Sequence, residues 1–219
     1  MGRIYENARR ILEELPPHVT LVAATKGRSP EEVEEAISAG VRVIGENYVQ
    51  EAERKKVAVK SDAEWHMIGR LQRNKVKKAV RLFDVIQTVD SFKLAREIDK
   101  RARDAGKVMP VMIEVNTGRE PQKGGVMPED ALNLVREISS LKNVEVIGLM
   151  TMGPYVENPE DIRPYFRLAR EIFENIRSLD LPNVDMRYLS MGMSSTYQVA
   201  VEEGANMVRI GTAIFGPRR

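Results

Sequence analysis

The sequence predicts a (β/α)8 barrel preceded by an N-terminal helix, with residues 1–219 forming a single domain. Three observations carry this: eight short apolar, β-branched runs, helical patterns between successive runs, and no Ser/Gly/Pro-rich linker within the 219 residues. Right-handed crossovers join parallel strands, so eight such units can close into a barrel. An open doubly wound sheet is the competing architecture.

The chain opens with Ile4, Ala8, Ile11, Leu12 and Leu15 at helical spacing, and Pro16-Pro17 ends that segment. Strands are then expected over residues 19–25, 41–44, 64–68, 84–89, 109–115, 144–150, 186–189 and 207–210. Helices are expected over 30–39, 49–59, 74–82, 92–105, 128–141, 161–179 and 195–203. Ser29 before Pro30, and Ser91, suit helix N-caps. Gly40, Gly106 and Gly204 stand where helices stop on a left-handed residue.

Composition excludes several classes. With 34 basic and 32 acidic side chains the net charge is +2, which does not indicate a bulk nucleic-acid binder. A content of 42% hydrophobic and 30% charged residues suits a soluble globular chain. The absence of cysteine removes disulfides, thiolate metal sites and a thiol nucleophile. His18 and His66 each lack a second histidine at ligand spacing, so metal catalysis is not expected. The N-terminus lacks the apolar stretch of a signal peptide and no segment is long enough to span a bilayer, so cytoplasmic residence is expected.

In either architecture ligands bind at the carboxyl ends of the strands. There the sequence places Thr25-Lys26, Gly45-Glu46-Asn47, Gly69-Arg70-Leu71-Gln72, Asn116-Thr117-Gly118, Thr151-Met152-Gly153, Ser190-Met191-Gly192-Met193-Ser194 and Gly211-Thr212. The last two put small residues and hydroxyls beside helix N-termini, where free N–H groups favour a phosphate; ordinary capped turns give the same pattern. Lys26 ends an apolar run. A lysine at a strand end is otherwise simply solvated, but one facing a phosphate cup suggests a Schiff base to a phosphorylated aldehyde. Burial and the positive charge of Arg209 would lower its pKa and free the amine.

Ala24-Thr25-Lys26, Gly45-Glu46-Asn47-Tyr48-Val49-Gln50-Glu51, Trp65-His66-Met67-Ile68-Gly69-Arg70-Leu71-Gln72, Leu189-Ser190-Met191-Gly192-Met193-Ser194 and Val208-Arg209-Ile210-Gly211-Thr212-Ala213-Ile214-Phe215-Gly216 stand in this order along the chain. Together they resemble the pyridoxal 5′-phosphate homeostasis protein family, from near the first residue to the last. The resemblance implies a one-domain barrel similar to the N-terminal domain of alanine racemase, with pyridoxal 5′-phosphate as cofactor. It implies that Lys26 is the aldimine lysine, that Ser190, Ser194, Gly211 and Thr212 surround the phosphate, that Arg209 faces the pyridine nitrogen, and that Asn47 lies beside the ring. Arg70 and Arg73 stand where relatives vary. Thr151-Met152-Gly153 fits the family run after the sixth strand without an assigned role.

An arginine at the pyridine nitrogen would hold it unprotonated and weaken the ring as an electron sink, which disfavours carbanion chemistry. A racemase of related design draws a second acid/base from an additional C-terminal domain. Here Gly216-Pro217-Arg218-Arg219 directly follow the last barrel unit, so that base is expected to be missing. His66, inside a strand run, reads as a satisfied core histidine. The expected function is a monomeric carrier, without nucleic-acid or membrane partners, that holds the cofactor as an aldimine on Lys26 and releases it to apo-enzymes. The rival is a weak pyridoxal-phosphate-dependent amino-acid racemase or related enzyme. The basic run Arg73-Asn74-Lys75-Val76-Lys77-Lys78, with Arg81, reads as a solvated helix face. Gly192-Met193-Ser194-Ser195-Thr196 departs from a nucleophile elbow at Thr196.

Overall fold

In the computed structural model, which describes residues 2–217, eight parallel strands pair in chain order and the last closes back onto the first. The strands are β1 (Thr20–Ala24), β2 (Val43–Glu46), β3 (Glu64–Met67), β4 (Val85–Val89), β5 (Met109–Glu114), β6 (Val144–Met150), β7 (Val184–Ser190) and β8 (Met207–Ile210). The helices are α1 (Arg3–Glu14), α2 (Pro30–Ser38), α3 (Val49–Ala58), α4 (Val76–Leu82), α5 (Phe92–Asp104), α6 (Ala131–Ile138), α7 (Arg163–Arg177), α8 (Tyr197–Glu202) and α9 (Thr212–Phe215). The closed barrel is the expected architecture, and the open sheet is excluded.

Local chemistry sets the boundaries. Ser29 caps α2 in a capping box with Glu32, and Ser91 accepts from the Leu94 amide at the start of α5. Gly40 adopts φ +112° after α2, and the amides of Gly40 and Val41 turn back to the carbonyls of Ile37 and Ala36. That closing turn engages Val41, so β2 starts two residues later than expected and runs through Gly45-Glu46. The helices expected from Asn74, Pro128 and Asp161 open instead as 3-10 turns, Arg73–Lys75, Pro128–Asp130 and Pro159–Ile162. The α9 turn, outside the expected elements, follows β8 at once.

Two apolar clusters form. The larger packs the outer faces of the strands against the helices and includes Trp65, Phe83, Phe166 and Phe173. The smaller contains Val22, Val43, Ile68, Val85, Met112, Ile147, Met150 and Met207, inward positions that fill the barrel. Alternation along the strands therefore directs Gln87 (two past Val85), Glu114 (two past Met112) and Arg209 (two past Met207) toward the carboxyl end of the same interior.

Candidate functional site

The carboxyl rim between β1 and β8 brings together residues that are distant in sequence. Ala23 pairs with Ile210, so Lys26 and Gly211-Thr212 leave neighbouring strand ends. A Cβ on Gly211 would lie 3.3 Å from the Ala24 carbonyl oxygen, which shows how closely the β8 exit passes β1. Ser194, in the preceding loop, accepts from the Ala213 amide at 3.2 Å and ties the two loops together. Gly192 turns that loop at φ +94°, where a Cβ would stand 2.6 Å from the Ala200 side chain. Among the described residues, the amides of Ser194, Ser195, Gly211 and Thr212 donate to no protein acceptor. Unengaged N–H groups converging from two loops fit an anion.

Lys26 is half-buried rather than buried, and its ammonium lies 5.0 Å from the centre of the exposed Tyr48 ring. A buried cluster anchors the strand end beneath it. Thr25 donates to Glu46 Oε1 at 2.5 Å, and Lys55 Nζ donates to the same oxygen and to the Thr25 carbonyl, each at 2.5 Å. Burial pushes the Glu46 carboxyl above its ordinary range, against the opposing pull of Lys55 and Thr25.

Arg209 is buried below the rim, donating from Nη1 to Ser190 Oγ at 2.7 Å and from Nη2 to the Thr151 carbonyl at 2.8 Å. Its Nε has no protein partner among the described residues. Burial lowers its pKa to about 10, with Glu114 acting in the opposite direction. Ser190 is fully buried and donates to Gln87 Oε1 at 2.7 Å while accepting from Arg209. Its hydroxyl thereby supports Arg209. Thr151, which had no assigned role, supplies the second support. His66 is a satisfied core histidine, accepting from Gln87 Nε2 at Nδ1 (2.7 Å) and facing Glu64 from Nε2 (2.9 Å).

Glu114, which sequence reasoning passed over, is buried at the end of β5 and its pKa is raised to about 7. Burial is the main cause and Asp90 adds to it, while Arg209 and Arg70 pull the other way. The visible signal was a carboxylate at an inward position of an otherwise apolar strand. Gln87 in Val-Ile-Gln-Thr-Val gave the same signal.

Two cavities open at the carboxyl rim, and Asn47 lines both. The smaller, about 190 Å3, is bounded by Arg70, Glu114, Asn116 and Lys123. The larger, about 790 Å3, lies toward β3 and β4 and contains none of Lys26, Ser190, Ser194, Arg209, Gly211 or Thr212. Gly69 sets the approach of these loops, since a Cβ there would fall 2.4 Å from the Asn47 carbonyl oxygen. Among the described residues no group of three His, Cys, Asp or Glu could hold a metal ion, and no helix is long and apolar enough to cross a membrane.

Comparison with known proteins agrees with this fold. The family "Alanine racemase, N-terminal domain" matches residues 1–219. A pyridoxal phosphate homeostasis protein of Aquifex aeolicus is 49% identical over 200 residues, covering 91% of this chain and 87% of the relative. One from Schizosaccharomyces pombe is 39% identical over 207 residues, covering 92% and 85%. The structure of PipY from Synechococcus elongatus with PLP bound superposes with a TM-score of 0.90 at 36% identity, covering 97% of this chain and all of that one. An alanine racemase of Clostridium difficile shares the fold at 14% identity (TM-score 0.81), with this chain spanning 56% of its length.

Proposed function

The chain belongs to the pyridoxal phosphate homeostasis protein family, built on the alanine racemase N-terminal fold, and from that premise we propose that it binds pyridoxal 5′-phosphate at Lys26 and passes it to apo-enzymes. One observation carries the reading: a half-buried lysine, a set of unengaged amides and a buried arginine belong to the adjacent ends of β1 and β8 and the loop before β8. The residues fit the group. Ser190, Ser194, Gly211 and Thr212 would surround the phosphate, Arg209 would face the pyridine nitrogen, Asn47 would stand beside the ring, and Lys26 would form the covalent link. When bound, the cofactor supplies a reactive aldehyde and an electron-withdrawing ring.

Arg209 stays charged at neutral pH even with its pKa lowered to about 10, so it offers a donor and no base to the ring nitrogen. That supports holding the cofactor over carbanion chemistry. Lys26 is open enough for water or a small amine to reach the link, as release requires. The reading extends to a monomer acting in the cytoplasm, whose mass in solution sedimentation measures.

The test is the visible spectrum of protein loaded with pyridoxal 5′-phosphate, then borohydride reduction and peptide mapping. The expected adduct is on Lys26, and Lys26→Ala loses both band and adduct. A band that survives in this variant, or an adduct on another lysine, refutes the assignment. Exchange of amino-acid α-protons in deuterated water at enzymatic rates would replace the carrier reading with a racemase-like one.

A further inference from the structure

We propose that the 790 Å3 cavity at the carboxyl ends of β2, β3 and β4 is a second binding site, for a small organic anion bearing two or more phosphate groups. Its volume lies within the range of about 300–1,000 Å3 that encloses metabolite-sized ligands. Arg70, Arg73, Lys75 and Lys93 line it against the single carboxylate of Asp90. These cations come from the loop after β3, the 3-10 turn before α4 and the first turn of α5, so the fold converges three separate segments on one hollow.

Some cations of the neighbouring helices are paired, Lys56 with Asp84 and Lys78 with Glu53, while Lys77, Arg81 and Arg96 are in no ion pair among the described residues. Among the described residues none of the four lining cations is in an ion pair. Four cations against one lining carboxylate repel one another, and a multiply charged anion relieves that repulsion. Two of the four are arginines, whose planar forks match phosphate oxygens in pairs. Val49, Leu71 and Leu94, with the exposed ring of Tyr48, give the same cavity an apolar wall for an organic body. The basic run at residues 73–78 thus divides, because Arg73 and Lys75 face the cavity while Lys78 is paired across to α3. The inference does not depend on the cofactor assignment.

The probes are ADP, pyrophosphate and citrate, titrated calorimetrically into protein with pyridoxal 5′-phosphate fixed by borohydride and into unloaded protein. ADP is expected to bind both forms with a Kd below about 1 mM, more tightly than pyrophosphate or citrate. Affinity should weaken as salt rises. Arg73→Glu combined with Lys93→Glu, both at exposed positions, should lower ADP affinity by about tenfold or more while leaving the thermal transition in place. No ADP heat, unchanged affinity in the double variant, or binding seen only in unloaded protein would overturn the proposal. Citrate matching ADP would overturn the phosphate assignment, and pyrophosphate matching ADP would overturn the organic one. If the cofactor fails to load, the reading of Lys26 fails, while ADP binding to the unloaded protein and its double variant still decides this site.

Discussion

Glu114→Gln tests the electrostatics of the barrel mouth. In the folded protein burial raises the Glu114 pKa from 4.5 to about 7, so between those values the folded state holds a proton that the unfolded chain has released. Folding stability contributed by this position is therefore full below the unfolded value, falls as pH rises through the interval, and is flat above it. The gap is worth about 3 kcal/mol. Glutamine keeps the shape and removes the titration. The variant should match the parent near pH 4.5 and exceed it by up to about 3 kcal/mol near pH 8, with the difference growing across the interval. Urea denaturation of both proteins through a pH series measures this, and subtracting the two curves cancels the other carboxylates. A difference independent of pH would show that Glu114 does not titrate there. A parent more stable than the variant at high pH would show that Arg209 and Arg70 outweigh burial, and the reasoning would fall.

The cluster beneath Lys26 and the close approaches of the backbone give two further expectations. Lys55→Met leaves Glu46 buried without its cation and should cost about 3 kcal/mol by denaturant titration, most of it recovered when Glu46→Met is added; a double variant as unstable as the single would contradict this. Gly148→Ala places a Cβ 2.0 Å from the Tyr188 carbonyl oxygen of the adjacent strand, so thermal melting should show a loss above about 3 kcal/mol. Gly106→Ala meets nothing within 4 Å but stands at φ +66° and should cost only about 1 kcal/mol, so equal losses would refute the steric account.

The fold was legible because its signals are local and repeated. Capping at Ser29 and Ser91, left-handed stops at Gly40, Gly106 and Gly204, and eight short apolar runs each follow from a few neighbouring residues. The loops proposed to hold the phosphate stand out for the same reason, since Ser194, Gly211 and Thr212 sit in small-residue loops just after strands. What the sequence hid depends on partners brought from far away. Glu46 finds Lys55 across the β2–α3 turn. Ser190 donates to Gln87, 103 positions earlier, a contact that no local pattern announces. Whether a hydroxyl after a strand faces a ligand or the interior depends on the inward parity of that position, and at the ends of short strands periodicity does not fix it. That Arg73 and Lys75 share a cavity lining with Lys93, on a different element, is likewise set by the fold and not by their own neighbours in sequence.

The polar string inside the barrel explains why Arg209 can stay charged where burial works against it. Ser190 gives its proton to Gln87 Oε1, so Gln87 Nε2 must donate to His66 Nδ1, and His66 is left with Nε2–H to give to Glu64 at the opposite end of the barrel. Every donor in this order has an acceptor. Reversing the Gln87 amide would aim two donors at Ser190 Oγ, leave the serine proton without an acceptor, and turn the amide oxygen toward the unprotonated Nδ1. The order therefore requires a donor above Ser190, and Arg209 is that donor. Its charge strengthens the hydrogen bond that starts the string, in an interior where unmade bonds cost about 1–3 kcal/mol each. The group free to change charge near neutral pH at the mouth is then Glu114, which belongs to no such string and has a pKa of about 7. A charge change at Glu114 would therefore act on the surroundings of Arg209, whose own charge is supported by its buried bonds to Ser190 and the Thr151 carbonyl.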